Sequence, residues 1–381
     1  MKRLICLLGA VCLLVLCIPG AAAAAPEELG KSVLLMDVAT GTVLYEANAH
    51  EPLAPASVTK VMTLLLIMEA IDSGKIGWDD TVTASEAAAA KGGSQIFLKV
   101  GETMSVSDMV KSIAVSSAND CACAMAEHLA GSESAFVERM NQRAKELGMN
   151  DTNFVNCTGL DDGENAAQHR TSAYDIALMS RELLKNHPDI KKFTTIWMDS
   201  VRGGTFGLSN TNKLIRFYPG ATGLKTGYTS GAGYCLSASA ERDGMELIAV
   251  IMGSKTSADR NAACKSMLDY GFANFSLVTP EMPEEALVPV VLGAVETARA
   301  GPGEQTRLLI DKAQKSSVTT EVVLEESVTA PVSKGQKLGT LYLRSGDQVL
   351  SEIPLVAEEA VERLGFGDLF ALVLRQVAMA K

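Results

Sequence analysis

No run of lysine and arginine appears in this chain of 381 residues, and its formal charge is −11. Neutralising a phosphate backbone needs clustered basic side chains, so nucleic acid is excluded as a partner. Histidine occurs only four times, and Cys121-Ala122-Cys123 has no second cysteine pair to complete a zinc set. Neither a metal nor any other cofactor is expected. Internal repeats and low-complexity segments are absent, and the longest apolar run, Leu4 to Ile18, falls short of the ~20 residues a spanning helix needs. Aromatics are scarce at 5%, yet the chain is 47% hydrophobic, too apolar for a disordered polymer and long enough for one large core or two domains.

What is present begins with Lys2 and Arg3, that apolar run, then Pro19-Gly20 and five alanines. This is the pattern of a secretory signal, residues 1–24, cut near Ala24 because Pro26 disfavours cleavage directly before it. A retained membrane anchor is the alternative, disfavoured by the short run and the alanine tract. Leu16 is too large for a lipidation signal at Cys17. Cleavage removes Cys6, Cys12 and Cys17 and leaves Cys121, Cys123, Cys157, Cys235 and Cys264, an odd number. Export permits disulfides, but these spacings give no framework. Buried small hydrophobes are the better reading.

Ser32 to Ala47 alternates strand-like residues around Ala39-Thr40-Gly41 and predicts a β-hairpin. Ser57 to Ile71 is apolar almost all round, which predicts a core helix. Further helices are predicted over Ser107–Val115, Asn119–Leu129, Glu133–Leu147 and Ser172–Leu184. Strands follow at Gly223–Thr226, Tyr234–Ala240 and Glu246–Met252, and a helix from Asp259 to Phe272 closes the unit. Sheet at both ends with helices between implies an α+β domain, residues 27–276, whose first and last strands share one sheet. From Leu277 prolines punctuate short β runs at Arg307–Ile310, Ser317–Leu324, Gly339–Leu343 and Val349–Ile353, a small all-β domain over 277–355.

Three short motifs occur in order: Ser57-Val58-Thr59-Lys60, Ser117-Ala118-Asn119 and Lys225-Thr226-Gly227. Each is common by chance, but the ordered set resembles that of the penicillin-recognising serine enzymes. A serine hydroxyl needs a base to remove its proton. Lys60 lies one helical turn from Ser57, at a helix N-terminus, where dipole and burial disfavour its charged form. The bland reading makes Ser57 a helix cap, which leaves a lysine unexplained among Val58, Val61, Met62 and Leu64. Ser117 would pass a proton to the leaving amine and Asn119 hold a substrate carbonyl; a polar interhelical turn is the alternative. On its strand, Lys225 would supply positive charge, Thr226 a hydroxyl for a terminal carboxylate, and Gly227 room for a peptide added at the strand edge. An exposed lysine before a turn is the bland reading there. The N–H groups of Ser57 and Tyr228 would form the oxyanion hole.

With Leu35-Met36-Asp37, Thr158-Gly159-Leu160-Asp161, Ser172-Ala173-Tyr174-Asp175 and Tyr228-Thr229, these motifs closely resemble the low-molecular-mass penicillin-binding proteins of the D-alanyl-D-alanine carboxypeptidase family. The resemblance covers Val33 to Phe275 and extends less specifically to the C-terminus. It implies the penicillin-recognising serine hydrolase fold, release of terminal D-alanine from peptidoglycan stem peptides through an acyl-enzyme on Ser57, and inhibition by β-lactams. Tyr228 departs from relatives that carry histidine there. A β-lactamase is the nearest rival, because class A enzymes deacylate with a glutamate; Glu164-Asn165 lies in the right region without matching surroundings. A non-hydrolytic β-lactam sensor is the rival from another class. Finally, in residues 356–381, Phe366, Leu369, Phe370, Val373 and Val377 recur at helical spacing. They predict an amphipathic helix on the outer face of the cytoplasmic membrane, with packing against the β domain as the alternative.

Overall fold

The computed structural model describes residues 25–374, apart from 28, 162–164, 283–285, 304–306, 369, 372 and 373. The predicted signal segment 1–24, Glu164 and the end of the chain from 375 lie outside the described residues. The strand Ser32–Asp37 is buried along its whole length, so both faces must be covered. It turns back into the strand Val43–Ala47 where the Asp37 carboxylate accepts the Thr40 amide at 2.8 Å and hydroxyl at 2.7 Å. On its other side it pairs antiparallel with Met245–Ser254, Val33 opposite Ile251 and Asp37 opposite Leu247. Gly233–Arg242 and Ala221–Thr229 complete a five-stranded sheet, with Ala221–Thr229 at its edge. The first and last strands therefore share one sheet, as expected.

Side chains alternate across this sheet. Leu34, Met36, Ile248, Val250 and Met252 face a large helical core. Val33, Leu35, Leu247, Ala249 and Ile251 face the helix Ser257–Asn274 through Ala263, Cys264, Met267 and Leu268. At about 1.5–3 kcal/mol for each buried large aliphatic side chain, the two cores fix the register firmly. Helices occupy Val106–Ser116, Asn119–Ala130, Glu133–Glu146 and Ala173–Asn186, within two residues of their predicted ends. The first helix differs. Ser57 lies in a 3₁₀ turn over Ala56–Thr59, and the α-helix runs from Lys60 to Asp72.

Two short antiparallel strand pairs, Thr81–Thr83 with Thr103–Ser105 and Met198–Val201 with Phe206–Ser209, were too brief to read from alternation. After Phe275–Val278, which pairs with Leu308–Asp311, comes a six-stranded sheet with its own core of Val288, Val290, Leu338, Leu341, Leu343 and Leu355. The strands Leu287–Val291 and Thr297–Pro302 were missed because Pro289 and Pro302 read as breakers. Pro289 sits at an outward position between buried Val288 and Val290, before the two-residue neighbour Val328–Thr329 begins to pair at Val290. An edge position tolerates its missing N–H. Cys121, Cys123, Cys157, Cys235 and Cys264 are all buried free thiols.

Candidate active site

Lys60 is fully buried, and its Nζ donates to Ser57 Oγ at 2.9 Å and to the Thr158 carbonyl at 2.7 Å. Burial pulls its pKa from 10.5 down to about 7, against weaker opposing pulls from Cys157 and Asp120. A lysine near neutrality, bonded to a serine hydroxyl, is equipped to take its proton. Ser57 caps neither the 3₁₀ turn nor the helix, which disposes of the capping reading.

The backbone before Ser57 is held in a costly shape. Ala56 has φ +49°, a left-handed conformation that costs a non-glycine residue about 1–3 kcal/mol. Thr59 Oγ1 donates to the Ala56 carbonyl at 2.8 Å. That leaves His169 Nε2–H to donate to Thr59 Oγ1 at 2.7 Å, while His169 Nδ1 accepts the Val155 amide at 3.1 Å. Both ring nitrogens are used by the neutral tautomer, and burial, then Arg170 and Lys60, lower the pKa from 6.5 to about 4. Gly159 presses on the same carbonyl: a Cβ there would sit 1.8 Å from Ala56 O. Only glycine fits.

Ser117 ends the helix Val106–Ser116 in a left-handed conformation, φ +63°, and is almost fully buried. Asn119 opens the next helix without capping it. Its Nδ2 donates to the Gly92 carbonyl at 2.7 Å, and its amide to the Ser94 carbonyl at 2.7 Å. Asn119 Oδ1 is buried with no partner among the described residues. The residue therefore offers an acceptor as well as the donor foreseen for a substrate carbonyl.

The edge strand Ala221–Thr229 leans on the nucleophile. A Cβ on Gly227 would meet the Pro55 carbonyl at 2.6 Å and the Ser57 amide nitrogen at 3.1 Å. Thr226 Oγ1 donates to Thr211 Oγ1 at 2.7 Å, and the Thr211 amide to the Val115 carbonyl, which ties this strand to the helix before Ser117. Lys225 is 1% exposed, not the exposed lysine of the bland reading, and donates to the Thr226 carbonyl at 2.9 Å. Burial, then the charges of Lys60 and Arg260, hold it well below the ordinary lysine range. Lys60, Lys225 and Arg260 form no ion pair among the described residues. Tyr228 is exposed and stacks on Tyr234 at 4.3 Å between centroids, with the Arg260 guanidinium 5.9 Å from the Tyr234 ring.

Residues 20–256 match the family described as D-alanyl-D-alanine carboxypeptidase. The chain belongs to that family. Residues 282–363 match the C-terminal domain of penicillin-binding protein 5. The D-alanyl-D-alanine carboxypeptidase DacF of Bacillus subtilis is 46% identical over 88% of this chain and 87% of its own length. DacA of Escherichia coli is 34% identical over 93% and 88% respectively. Among solved structures, penicillin-binding protein 5 of Haemophilus influenzae superposes with a TM-score of 0.78 at 30% identity, covering 90% of this chain and all of its own. For Escherichia coli penicillin-binding protein 6B the TM-score is 0.72 at 31% identity, over 89% of this chain and 98% of its own. The architecture is thus a penicillin-recognising domain followed by an all-β domain.

Sequence reasoning did not mark four contributors to this carboxypeptidase site: His169, Thr211, Arg260 and, as a positioning glycine, Gly159. Gly159 stood within a quoted motif and was legible in part. His169, Thr211 and Arg260 carry no motif, and only the fold brings them to Thr59, Thr226 and Lys225 respectively.

Proposed function

We propose that this serine-type D-Ala-D-Ala carboxypeptidase removes the terminal D-alanine of peptidoglycan stem pentapeptides through an acyl-enzyme on Ser57. The observation that carries it is the buried Lys60 amine, 2.9 Å from Ser57 Oγ and with a pKa near 7. Neutral Lys60 takes the serine proton as Oγ attacks the carbonyl of the penultimate D-alanine. The N–H groups of Ser57 and Tyr228 receive the developing oxyanion. Ser117 relays a proton to the departing amine, D-alanine leaves, and water then cleaves the ester. Arg260, which forms no ion pair among the described residues, supplies standing counter-charge for the substrate's terminal carboxylate, and that anion in turn favours a protonated Lys225. Asn119 and Gly227 line the groove, where an extended peptide adds to the open edge of the sheet. A β-lactam acylates the same serine.

The match of residues 20–256 to the D-alanyl-D-alanine carboxypeptidase family favours slow release of a β-lactam over a β-lactamase. The matched spans support a catalytic domain over 27–276 followed by a β domain from 277. The second span runs to 363, past the expected boundary at 355, as do the bridges of Val361 to Val332 and Arg363 to Gly293. The enzyme is exported, and the tail rests on the outer face of the cytoplasmic membrane. Phe366, Phe370 and Leu374 are helical and 86%, 60% and 54% exposed, which supports insertion over packing on the β domain. No helix among the described residues is long and apolar enough to cross a membrane. The test is purified protein with a D-Ala-D-Ala pentapeptide and with a fluorescent penicillin. D-alanine release and labelling should both vanish in Ser57→Ala, and labelling retained at another serine would overturn the assignment.

A further inference from the structure

Phe97 combines three features that folding alone does not explain. Its φ is +60°, a left-handed conformation that a bulky aromatic residue rarely adopts. Its side chain is 66% exposed, although Ile96 and Leu98 on either side are buried. And the conformation is enforced from both sides. The buried Asp120 carboxylate accepts the Ile96 amide at 3.1 Å and the Leu98 amide at 3.0 Å. Arg202 donates to the Ile96 carbonyl at 2.7 Å and the Phe97 carbonyl at 3.3 Å, and Glu102 holds that guanidinium at 2.6 Å. Glycine or asparagine would take this backbone shape with less strain and expose no apolar surface. Strain held this firmly, at a position that also forgoes burial, points to a function for the ring.

The loop that carries Phe97 is part of the wall of the active site. Asn119, next to Asp120, bonds the Gly92 and Ser94 carbonyls. Gly93 is wedged so that a Cβ would lie 2.8 Å from Asn119 Nδ2 and 3.2 Å from Leu160 Cδ2. The Asn119–Asp120 pair thus locks the loop to the site through both its amide and its carboxylate. Phe97 follows three residues after Ser94, whose carbonyl accepts the Asn119 amide. The Phe97 ring contacts Phe206 edge-on at 6.4 Å between centroids, and Arg202 lies over Phe206 at 5.3 Å. This backing leaves much of the ring open to solvent.

We infer that Phe97 is a specificity-determining residue, an aromatic shelf that packs against a saturated C–H face of the muropeptide beyond its D-Ala-D-Ala end. That chemistry has two sources in the substrate: the aliphatic side chain of the third stem residue and the sugar ring. The inference rests on the proposed role of Ser57, and the experiment separates the two. kcat and KM are measured for wild type, Phe97→Ala, Phe97→Gly and Phe97→Trp on three substrates: a capped D-Ala-D-Ala dipeptide, the free stem pentapeptide, and the disaccharide pentapeptide. Penicillin acylation is followed in parallel, and Phe97→Gly, which relieves the backbone strain, keeps the comparison clear of misfolding.

Phe97→Ala and Phe97→Gly should act on the dipeptide and on penicillin as wild type does. Both should lose about tenfold in kcat/KM on the longer substrates, chiefly through KM, the scale of one aromatic contact. Phe97→Trp should retain the wild-type values. Loss on both longer substrates assigns the contact to the peptide side chain, and loss on the disaccharide substrate alone assigns it to the sugar. Unchanged kinetics on the disaccharide substrate, or an equal loss on all substrates, would overturn the inference while leaving Ser57 in place. A wild-type enzyme inert to dipeptide and penicillin alike would instead remove the Ser57 reading, and the shelf with it.

Discussion

Replacing Lys60 with methionine, similar in length but without charge, separates what this residue does for catalysis from what it does to stability. At pH 7 an ordinary lysine is charged, whereas burial lowers Lys60 from 10.5 to about 7. Holding it there costs about 4 kcal/mol, at 1.36 kcal/mol per pH unit. The sign is definite. The unfolded chain binds the extra proton between pH 7 and 10.5, so this group makes the wild type less stable at pH 7 and progressively less so towards alkaline pH. Lys60→Met removes that cost but leaves the Thr158 carbonyl without its donor, which takes back about 1–3 kcal/mol. A net gain of about 1–3 kcal/mol at pH 7 remains, readable as a shifted urea midpoint, and it should shrink towards pH 10. Acylation by a fluorescent penicillin should meanwhile fall by about 10²–10⁴. In the wild type the acylation rate should rise with pH to a plateau just above pH 7, where Lys60 has lost its proton. Wild-type acylation rates in the variant, or a wild-type rate flat between pH 5.5 and 8, would refute the general-base assignment.

Thr226→Val removes the hydroxyl next to Lys225, and should weaken substrates with a free terminal carboxylate more than amidated analogues, as kcat/KM for the two series will tell. His169→Leu breaks the link through Thr59 to the Ala56 carbonyl, and should slow acylation about tenfold, roughly the 1.4 kcal/mol of one misheld hydrogen bond. Because the His169 pKa is lowered to about 4, its folded-state bonds are intact above 6.5, and stability should drain away as pH falls from 6.5 to 4. The leucine variant should lose that part of the acid sensitivity in a denaturation series. Deleting residues 366–381 should move the protein from the membrane fraction to the soluble exported fraction with activity on small peptides unchanged, and sedimentation with membranes after the deletion would count against the anchor.

The local patterns were legible wherever one residue's neighbours in the chain are also its neighbours in space. The Ser32–Ala47 hairpin, the all-round apolar helix after Ser57 and the strands from Ala221 onward follow from period and turn chemistry, and the three motifs follow from short spacing. Even there the helix start was misjudged by one turn, because a 3₁₀ turn and an α-helix share their first residues' propensities and differ only in what the turn packs against: Gly159 and His169 bear on the Ala56–Thr59 segment. Pro289 misled for the opposite reason, since only the sheet's edge decides whether a missing N–H matters. The N-terminal segment pointed to export and the three motifs named an enzyme class, but not the protonation of its base. That depends on Lys60 being closed off from water by Thr158, Cys157 and the core, residues about a hundred positions away. The unpaired oxygen of Asn119, the gathering of Lys60, Lys225 and Arg260, and the exposed ring of Phe97 are likewise properties of packing. Desolvation and strain arise only when distant segments meet, and so the tertiary structure alone decided them.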